Sequence, residues 1–371
     1  MPATRATRTP RPVRGGRPLR AGRPLRGQMP RLDDPAAVQA YNQRRLAELA
    51  RQPQPRIVMP PVPETIEARY TRALQRVVTQ TWRIVQATVL PAVQRQARAD
   101  DDEPEQPELP GMAEVQRQTK RMQREVQAVT PRLVLATLPA TEAAAAGIEA
   151  HARRGYLSVS EQVGLLAVEP GTEIAALADV WTRDNAALIT SIPQEMSDRI
   201  AALVAEAVPQ GMRWETLAKR IADEHGIADR RARLIARDQV SKYNGALNAA
   251  QQQAAGIEAY EWRGVMDARE RPTHVALQGM VFRWDRPPPI GHPGEPIQCR
   301  CQAIPVFSRG LAATARDLTP EELTQRVTAL GPTQREGPDA TQEQISKRAA
   351  AEVASDVRLA QNAAAVKGGR R

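Results

Sequence analysis

The feature that most constrains the fold is an apolar stripe that begins just after Glu64. Ile66, Tyr70, Leu74, Val77 and Ile84 recur at steps of three or four residues, or multiples of them, up to Pro91. That is the period of a helix that buries one face and solvates the other. Residues 112–129 read as a polar helix, and after Pro131 helical segments alternate with short loops to about Gly256. Pro193 is placed to start a helix carrying Ile200, Leu203, Val204 and Ala207, with Gly211 after its end. Trp214, Leu217, Ala218 and Ile221 define the next apolar face, which Gly226 closes. Within 231–253, Ala236, Val240, Tyr243, Leu247 and Ala250 step by 4, 3, 4 and 3, while Arg237, Asp238 and Lys242 take other faces. This seam predicts a central strut in a mainly α protein built of long amphipathic helices.

Beyond Gly256 the period changes. Tyr260-Glu261-Trp262-Arg263 and Val281-Phe282-Arg283-Trp284 alternate bulky and polar residues, which predicts two short strands and hence a small α+β cap on the helices. Trp262 and Trp284 are expected in the core of that cap rather than as base-stacking surfaces, since aromatics dominate small cores. The run Arg230-Arg231-Ala232-Arg233 reads as a solvated helix face, diluted by Asp229 and Asp238.

Composition bears on how much of the chain packs. With 31 Pro, 22 Gly and only 3% aromatic residues, part of it lacks the apolar bulk to offset ordering entropy. Residues 1–31 hold nine Arg and no Lys, Asp or Glu, which is nearly all of the net charge of +10. A six-residue repeat of Arg-Pro-Val-Arg and Arg-Pro-Leu-Arg spans 11–26, so 1–35 is expected to be a disordered Arg/Pro-rich arm. Its Arg11, Arg14, Arg17, Arg20, Arg23 and Arg26 are candidates for salt-dependent, sequence-independent contacts with nucleic acid; a solvated tag is the bland alternative. A helical body follows over 36–230, opening with a helix at 36–51 capped by Asp33 or Asp34 and a Pro-rich stretch at 53–63, and carrying an acidic Pro-rich linker at 100–110. Residues 308–371 are expected to be a flexible tail with helical patches near 319–328 and 341–362 and a basic end, Lys367 to Arg371. No run of about 18 apolar residues suggests a membrane span, and the Arg-rich start lacks the apolar stretch of a signal peptide. Cys299 and Cys301, one residue apart, are poorly spaced for a disulfide, which favours a reducing compartment.

One ordered set of motifs is more specific than any of these patterns. It runs Ile235-Ala236-Arg237-Asp238, Ala254-Ala255-Gly256-Ile257, Tyr260-Glu261-Trp262-Arg263, Asp267-Ala268-Arg269-Glu270-Arg271-Pro272-Thr273-His274, Gly279-Met280-Val281-Phe282, Gly291-His292-Pro293-Gly294 and Cys299-Arg300-Cys301, ending near Pro305. This arrangement resembles the Mu F-like family of phage head-morphogenesis and minor capsid proteins, with the signature unit at 231–307. Trp181, Asn185, Leu188-Ile189, Ile192-Pro193, Gly211 and Leu217-Ala218 resemble the helical part that precedes it, so the pattern covers roughly 64–307. The signature residues are Arg237, Trp262, Asp267, Arg269, His274, Gly279, Gly294, Cys299, Arg300 and Cys301. The resemblance implies a non-enzymatic minor head protein that acts at the portal during head assembly, with portal, capsid or scaffolding proteins and DNA as partners and no membrane. It further implies residence in the virion, at the head interior or portal vertex, and in the host cytoplasm during assembly.

The cap also concentrates the chemistry. His274, His292, Cys299 and Cys301 offer the imidazole and thiolate donors that tetrahedral zinc prefers, so a structural zinc is the candidate cofactor. The competing reading makes the Cys small buried hydrophobes and the His pieces of hydrogen-bonded turns. Asp267, Arg269 and His274 suggest acid-base or phosphoryl chemistry in which a carboxylate orients a histidine, although ion-pair scaffolds mimic such sites; with it goes a third reading, a metal-dependent hydrolase or nuclease built on His274, His292, Cys299 and Cys301. A non-specific DNA-binding packaging factor is the remaining alternative. No phosphate-binding Gly-rich loop, nucleophile elbow or His-Glu-x-x-His helix supports an enzyme.

Overall fold

The computed structural model describes residues 29–30, 33–100, 111–168, 171–207, 209–210, 212–333 and 339–368. Most of the Arg-rich arm, including its six candidate DNA-contacting arginines, the linker at 101–110, Gly211 and the last three residues lie outside the described residues. In chain order the elements are α1 (Pro35–Leu49), α2 (Glu64–Ala87), α3 (Val89–Asp100), α4 (Met112–Val163), α5 (Gly171–Ala207), α6 (Trp214–Ala254), β1 (Ala259–Arg263), α7 (Pro272–Val275), β2 (Val281–Arg283), β3 (Gln302–Val306), α8 (Arg309–Ala312), α9 (Pro320–Ala329) and α10 (Gln342–Gly368). The protein is mainly α with a small sheet near its C-terminal end, as the periodicities predict.

The stripe that opens α2 becomes the centre of the helical body. Tyr70, Leu74, Val77, Val78 and Val85 are buried against α4, α5 and α6, with Ile66 and Ile84 at the margin. Each fully buried aliphatic side chain contributes roughly 1.5–3 kcal/mol relative to exposure. The helix ends at Thr88, whose backbone leaves the helical region, three residues before Pro91. The reason is steric: a proline ring clashes with the carbonyl four residues earlier, here that of Ala87, and Pro91 instead sits comfortably in the first turn of α3.

Other expected boundaries vanish. Helix α4 runs unbroken for 52 residues through Pro131 and Pro139, a rod about 78 Å long at ~1.5 Å per residue. The carbonyls these prolines cannot pair belong to Gln127 and Leu135, both exposed, while Val126, Thr130, Thr137 and Thr141 on the other side are buried. Water can serve the freed acceptors, so packing holds the helix across both breaks. An 18-residue window of α4 reaches a mean hydropathy of 1.2 with 28% of it buried, yet Ala144, Ala145, Ile148 and Ala152 of this helix belong to the body's core. Pro193 lies inside α5 rather than at its start, flanked by buried Ile189, Ile192, Met196 and Ile200. Likewise Gly226 and the boundary expected at 230/231 fall within α6, because Ile221, Ala228, Ala232, Ile235, Ala236, Val240, Tyr243 and Leu247 form one continuous buried stripe. A buried polar network pins these helices together: the Tyr70 hydroxyl donates to Asn185 Oδ1 at 2.6 Å, Asn185 Nδ2 donates to the Trp181 carbonyl at 2.7 Å, and Trp181 Nε1 donates to the Gln239 carbonyl at 3.0 Å.

In the cap, the two expected strands pair and are joined by a third, giving an antiparallel sheet in the order β2-β1-β3. The register places Tyr260 opposite Phe282 on one side and Pro305 on the other, with Trp262 opposite Ala303. Tyr260, Trp262 and Phe282 face a second core, whereas Ala259, Val281 and Val306 form a small cluster with Leu311, Ala312 and Ala315 on the opposite face. The segment expected to be a flexible tail covers the first face: Leu323 and Val327 of α9 and Ala349 and Val353 of α10 are buried among those aromatics. Asp356 of α10 accepts from Thr273 Oγ1 at 2.6 Å and from Arg271 at 3.2 Å. A three-stranded sheet with one large aromatic face needs a cover, and the four-residue α7 is too small to provide it. The Pro-rich stretch after α1 ties the cap to the body, since the Gln54 side chain bonds the Pro305 carbonyl and the Phe307 and Ser308 amides at 2.9, 2.9 and 3.1 Å.

Candidate metal centre

Two irregular stretches, 264–271 and 284–301, meet beside the aromatic face of the sheet. Each is held by specific backbone devices. Asp267 folds its loop by accepting the Arg269 amide at 3.0 Å, and Pro272 starts α7 so that His274 turns inward. Gly291 and Gly294 adopt φ of 86° and 94°, conformations that suit glycine. The second loop is also seated on α6: Gly245 lies so close that a Cβ there would fall 2.8 Å from the Pro293 carbonyl. The Gln298 amide, in a left-handed backbone at φ 55°, donates to Asp238 Oδ1 at 2.8 Å, a charged partner that offsets the local strain.

These devices bring His274, Cys299 and Cys301 together, with ligand atoms all within 4.8 Å of one another. His274 Nδ1 lies 3.8 Å from Cys299 Sγ and 3.3 Å from Cys301 Sγ. The side chains are closed to solvent, His274 and Cys299 at 1% exposure and Cys301 at 5%. Both Cys precede β3 rather than lying in a strand. His292 is not in the group. Its Nδ1 is 2.8 Å from the Tyr260 hydroxyl and its ring packs on Tyr260 and Trp284, because the Gly291 and Gly294 turns swing it against the aromatic face.

Glu270, to which the motif pattern assigns no role, approaches instead. Its Oε1 lies 3.2 Å from His274 Nδ1 and 3.3 Å from Cys301 Sγ, while Oε2 accepts the Val265 amide at 3.0 Å. The available signal was its position four residues before His274 around the start of α7. Asp267 does not orient His274; it holds Arg300 in a two-pronged ion pair at 2.6 and 2.8 Å, with Arg269 at 3.2 Å. The Arg300 guanidinium keeps the Asp267 carboxyl below the usual carboxylate range.

Without a cation the cluster is strongly polarised. Burial opposes ionisation of Cys299, but hydrogen bonds from Cys301 and His274 outweigh it and pull the thiol well below its ordinary value. Cys301, facing that sulfur from a buried position, is pushed up. Burial also disfavours charge on His274 and Glu270; contacts with Cys299 and Glu270 nevertheless raise His274 to about 9, and those with His274 and Cys301 lower Glu270 to about 2. A divalent cation entering the group would displace the protons of His274 and Cys301, so that two thiolates and an imidazole, with a carboxylate alongside, would be the donor types of a zinc centre.

The remaining signature residues frame the site. Trp262 is fully buried with its ring 5.5 Å from His274 at 78°, and its carbonyl accepts the Gly279 amide at 2.9 Å where Gly279 turns at φ 74°. The Gly294 amide donates to Cys299 Sγ at 3.3 Å. Arg237 lies away from the cap and pairs with Glu67 at 3.3 Å, tying α6 to α2. In the basic run, Arg231 pairs with Glu195 and Arg233 with Asp229, each at 2.6 Å.

A long-helix body carrying a small sheet with a buried Cys/His cluster is the class of protein that this fold and site define. Residues 198–304 match the model of the family described as Phage Mu protein F like protein. That span, which begins in α5, includes all of α6 and ends in β3, is similar to the Mu F-like family, in line with the resemblance of its motif order. An uncharacterized protein of Haemophilus influenzae is 38% identical over 135 residues, 36% of this chain and 30% of that protein. The match thus spans less than a third of the relative's length. No solved structure matches the chain.

Proposed function

We propose that this chain is a minor head protein of a phage virion, docking at the portal through its helical body during head assembly and presenting its Arg-rich arm to DNA. The observation that carries the reading is the Mu F-like match over 198–304, which falls on the unit formed by α6 and the sheet. An assembly role is favoured over hydrolysis by the closure of the Cys/His cluster: with His274 and Cys299 at 1% exposure, a substrate has no route to the donors unless the cap opens. The nine arginines of residues 1–31 suit contact with phosphates without reading sequence.

The test is co-expression of the full chain with the portal protein of the same phage, followed by affinity purification and by analysis of assembled particles. Co-purification and incorporation are expected; absence of both overturns the assembly reading. Deleting residues 1–31 tests the arm separately. For every phosphate that the arm neutralises, its deletion should flatten the dependence of log affinity on log salt by about 0.7–0.9. Unchanged affinity and slope would mean that DNA is held elsewhere or not at all.

A further inference from the structure

At the Cys/His cluster, three metal-binding atoms converge within 4.8 Å of one another in a pocket closed to solvent, with a carboxylate beside them. His274 Nδ1 carries one proton or one lone pair, yet Glu270 Oε1, Cys301 Sγ and Cys299 Sγ lie 3.2, 3.3 and 3.8 Å from it. A single N–H can point at one of these acceptors, and the thiol of Cys301 can serve one more. A cation placed among His274 Nδ1 and the two Sγ atoms satisfies those three together, with Glu270 Oε1 already in contact with two of them.

We propose that His274, Cys299 and Cys301 bind one zinc ion, with the adjacent Glu270 carboxylate moving in as the fourth ligand, as a closed structural site that staples the loops 264–271 and 284–301 together. The spacings suit it. Zinc bonds of ~2.3 Å to sulfur and ~2.0–2.2 Å to nitrogen or oxygen, set tetrahedrally, separate neighbouring ligand atoms by roughly 3.3–3.8 Å. The separations from His274 Nδ1 to the two sulfurs are 3.3 and 3.8 Å, and Glu270 Oε1 lies 3.2–3.3 Å from His274 Nδ1 and Cys301 Sγ, so only a shift of its side chain toward Cys299 completes the set. The two sulfurs and the imidazole select zinc over magnesium or calcium, which take all-oxygen shells. Supporting contacts are in place: the Gly294 amide donates to Cys299 Sγ, and the Val265 amide holds Glu270 Oε2 so that Oε1 faces the cluster. The centre also explains how an 18-residue stretch without regular structure, 284–301, stays seated with Cys299 buried. His292, engaged with Tyr260, is not a ligand. The proposal stands apart from the assembly role; failure to bind a portal would leave it untouched.

The experiment is elemental analysis of the full-length chain purified under reductant, together with cobalt(II) substitution. About one zinc per chain is expected, lost in Cys299→Ser and Cys301→Ser, weakened at least ~10-fold in Glu270→Gln and unchanged in His292→Asn. Should the Cys variants fail to fold, the wild type carries a second readout. Its cobalt form should show the intense visible bands of a tetrahedral site and a sulfur-to-metal charge-transfer band. Folded wild-type protein that takes up neither zinc nor tetrahedral cobalt overturns the proposal, as does full zinc affinity in the Cys299→Ser/Cys301→Ser double variant. Zinc lost in His292→Asn and fully retained in Glu270→Gln would overturn the ligand assignment.

Discussion

Gly226 and Gly245 both lie in the interior of α6, and replacing each by Ala should shift stability in opposite directions. Alanine gains about 1 kcal/mol of intrinsic helix propensity over glycine at either position. At Gly226 the new Cβ would meet only the Arg230 side chain, at 3.5 Å, an ordinary contact with a flexible group. Gly226→Ala should therefore stabilise by about 0.5–1 kcal/mol. At Gly245 the Cβ would lie 2.8 Å from the Pro293 carbonyl and 3.1 Å from Gly294 Cα, both backbone atoms of the loop that delivers Cys299. That overlap can be relieved only by lifting the loop from the helix, at a cost of ~2–3 kcal/mol for overpacking a tight contact. The net effect of Gly245→Ala is a loss of about 1–2 kcal/mol, so the two variants differ by ~2–3 kcal/mol. Urea denaturation of both beside the wild type measures this, and hydrogen exchange should show increased opening around 291–301 in Gly245→Ala alone. Equal stabilisation of the two variants would refute the seating of the loop on α6; equal destabilisation would refute the account of Gly226.

Leu323→Ala should cost about 3 kcal/mol in urea denaturation, since Leu323 is fully buried in the cap and burial plus cavity terms add. Leu330→Ala, at 46% exposure, should stay within ~0.5 kcal/mol; equal, negligible effects would mean that α9 does not pack on the sheet. Asn185→Ala should destabilise the helical body by about 2 kcal/mol by stripping a buried acceptor from Tyr70. Combining it with Tyr70→Phe should cost ~1 kcal/mol less than the sum of the single effects, and strict additivity in a double-mutant cycle would count against the 2.6 Å bond.

What the chain encodes locally is what depends on periodicity: the stripe of α2, the seam of α6, the alternation of β1 and β2, and the order of motifs by which 198–304 resembles the Mu F-like family. These are legible because side-chain direction repeats every 3.6 residues in a helix and every two in a strand, whatever the partner. Where helices end was less legible. Pro131, Pro139, Pro193 and Gly226 are all breaker residues, yet the helices continue because one face is buried in partners far along the chain. Pro91 does coincide with a break, displaced to Thr88 by the reach of its ring, and Gly256 follows the end of α6.

Tertiary structure alone decided the membership of the Cys/His cluster and the fate of the C-terminal segment. Cys-x-Cys and His274 were visible as donors, but that His292 stays outside their group while Glu270 sits beside it depends on two glycine turns and on anchorage of the loop at Asp238 and Gly245 of α6. No spacing encodes that, since 18 residues of irregular chain can place His292 on either side of the sheet's aromatic face. The helical patches near 319–328 and 341–362 likewise look weak in isolation. They become α9 and α10 because Leu323, Val327, Ala349 and Val353 find a complementary apolar surface in Tyr260, Trp262 and Phe282, and burial across that contact supplies the free energy that local propensity lacks.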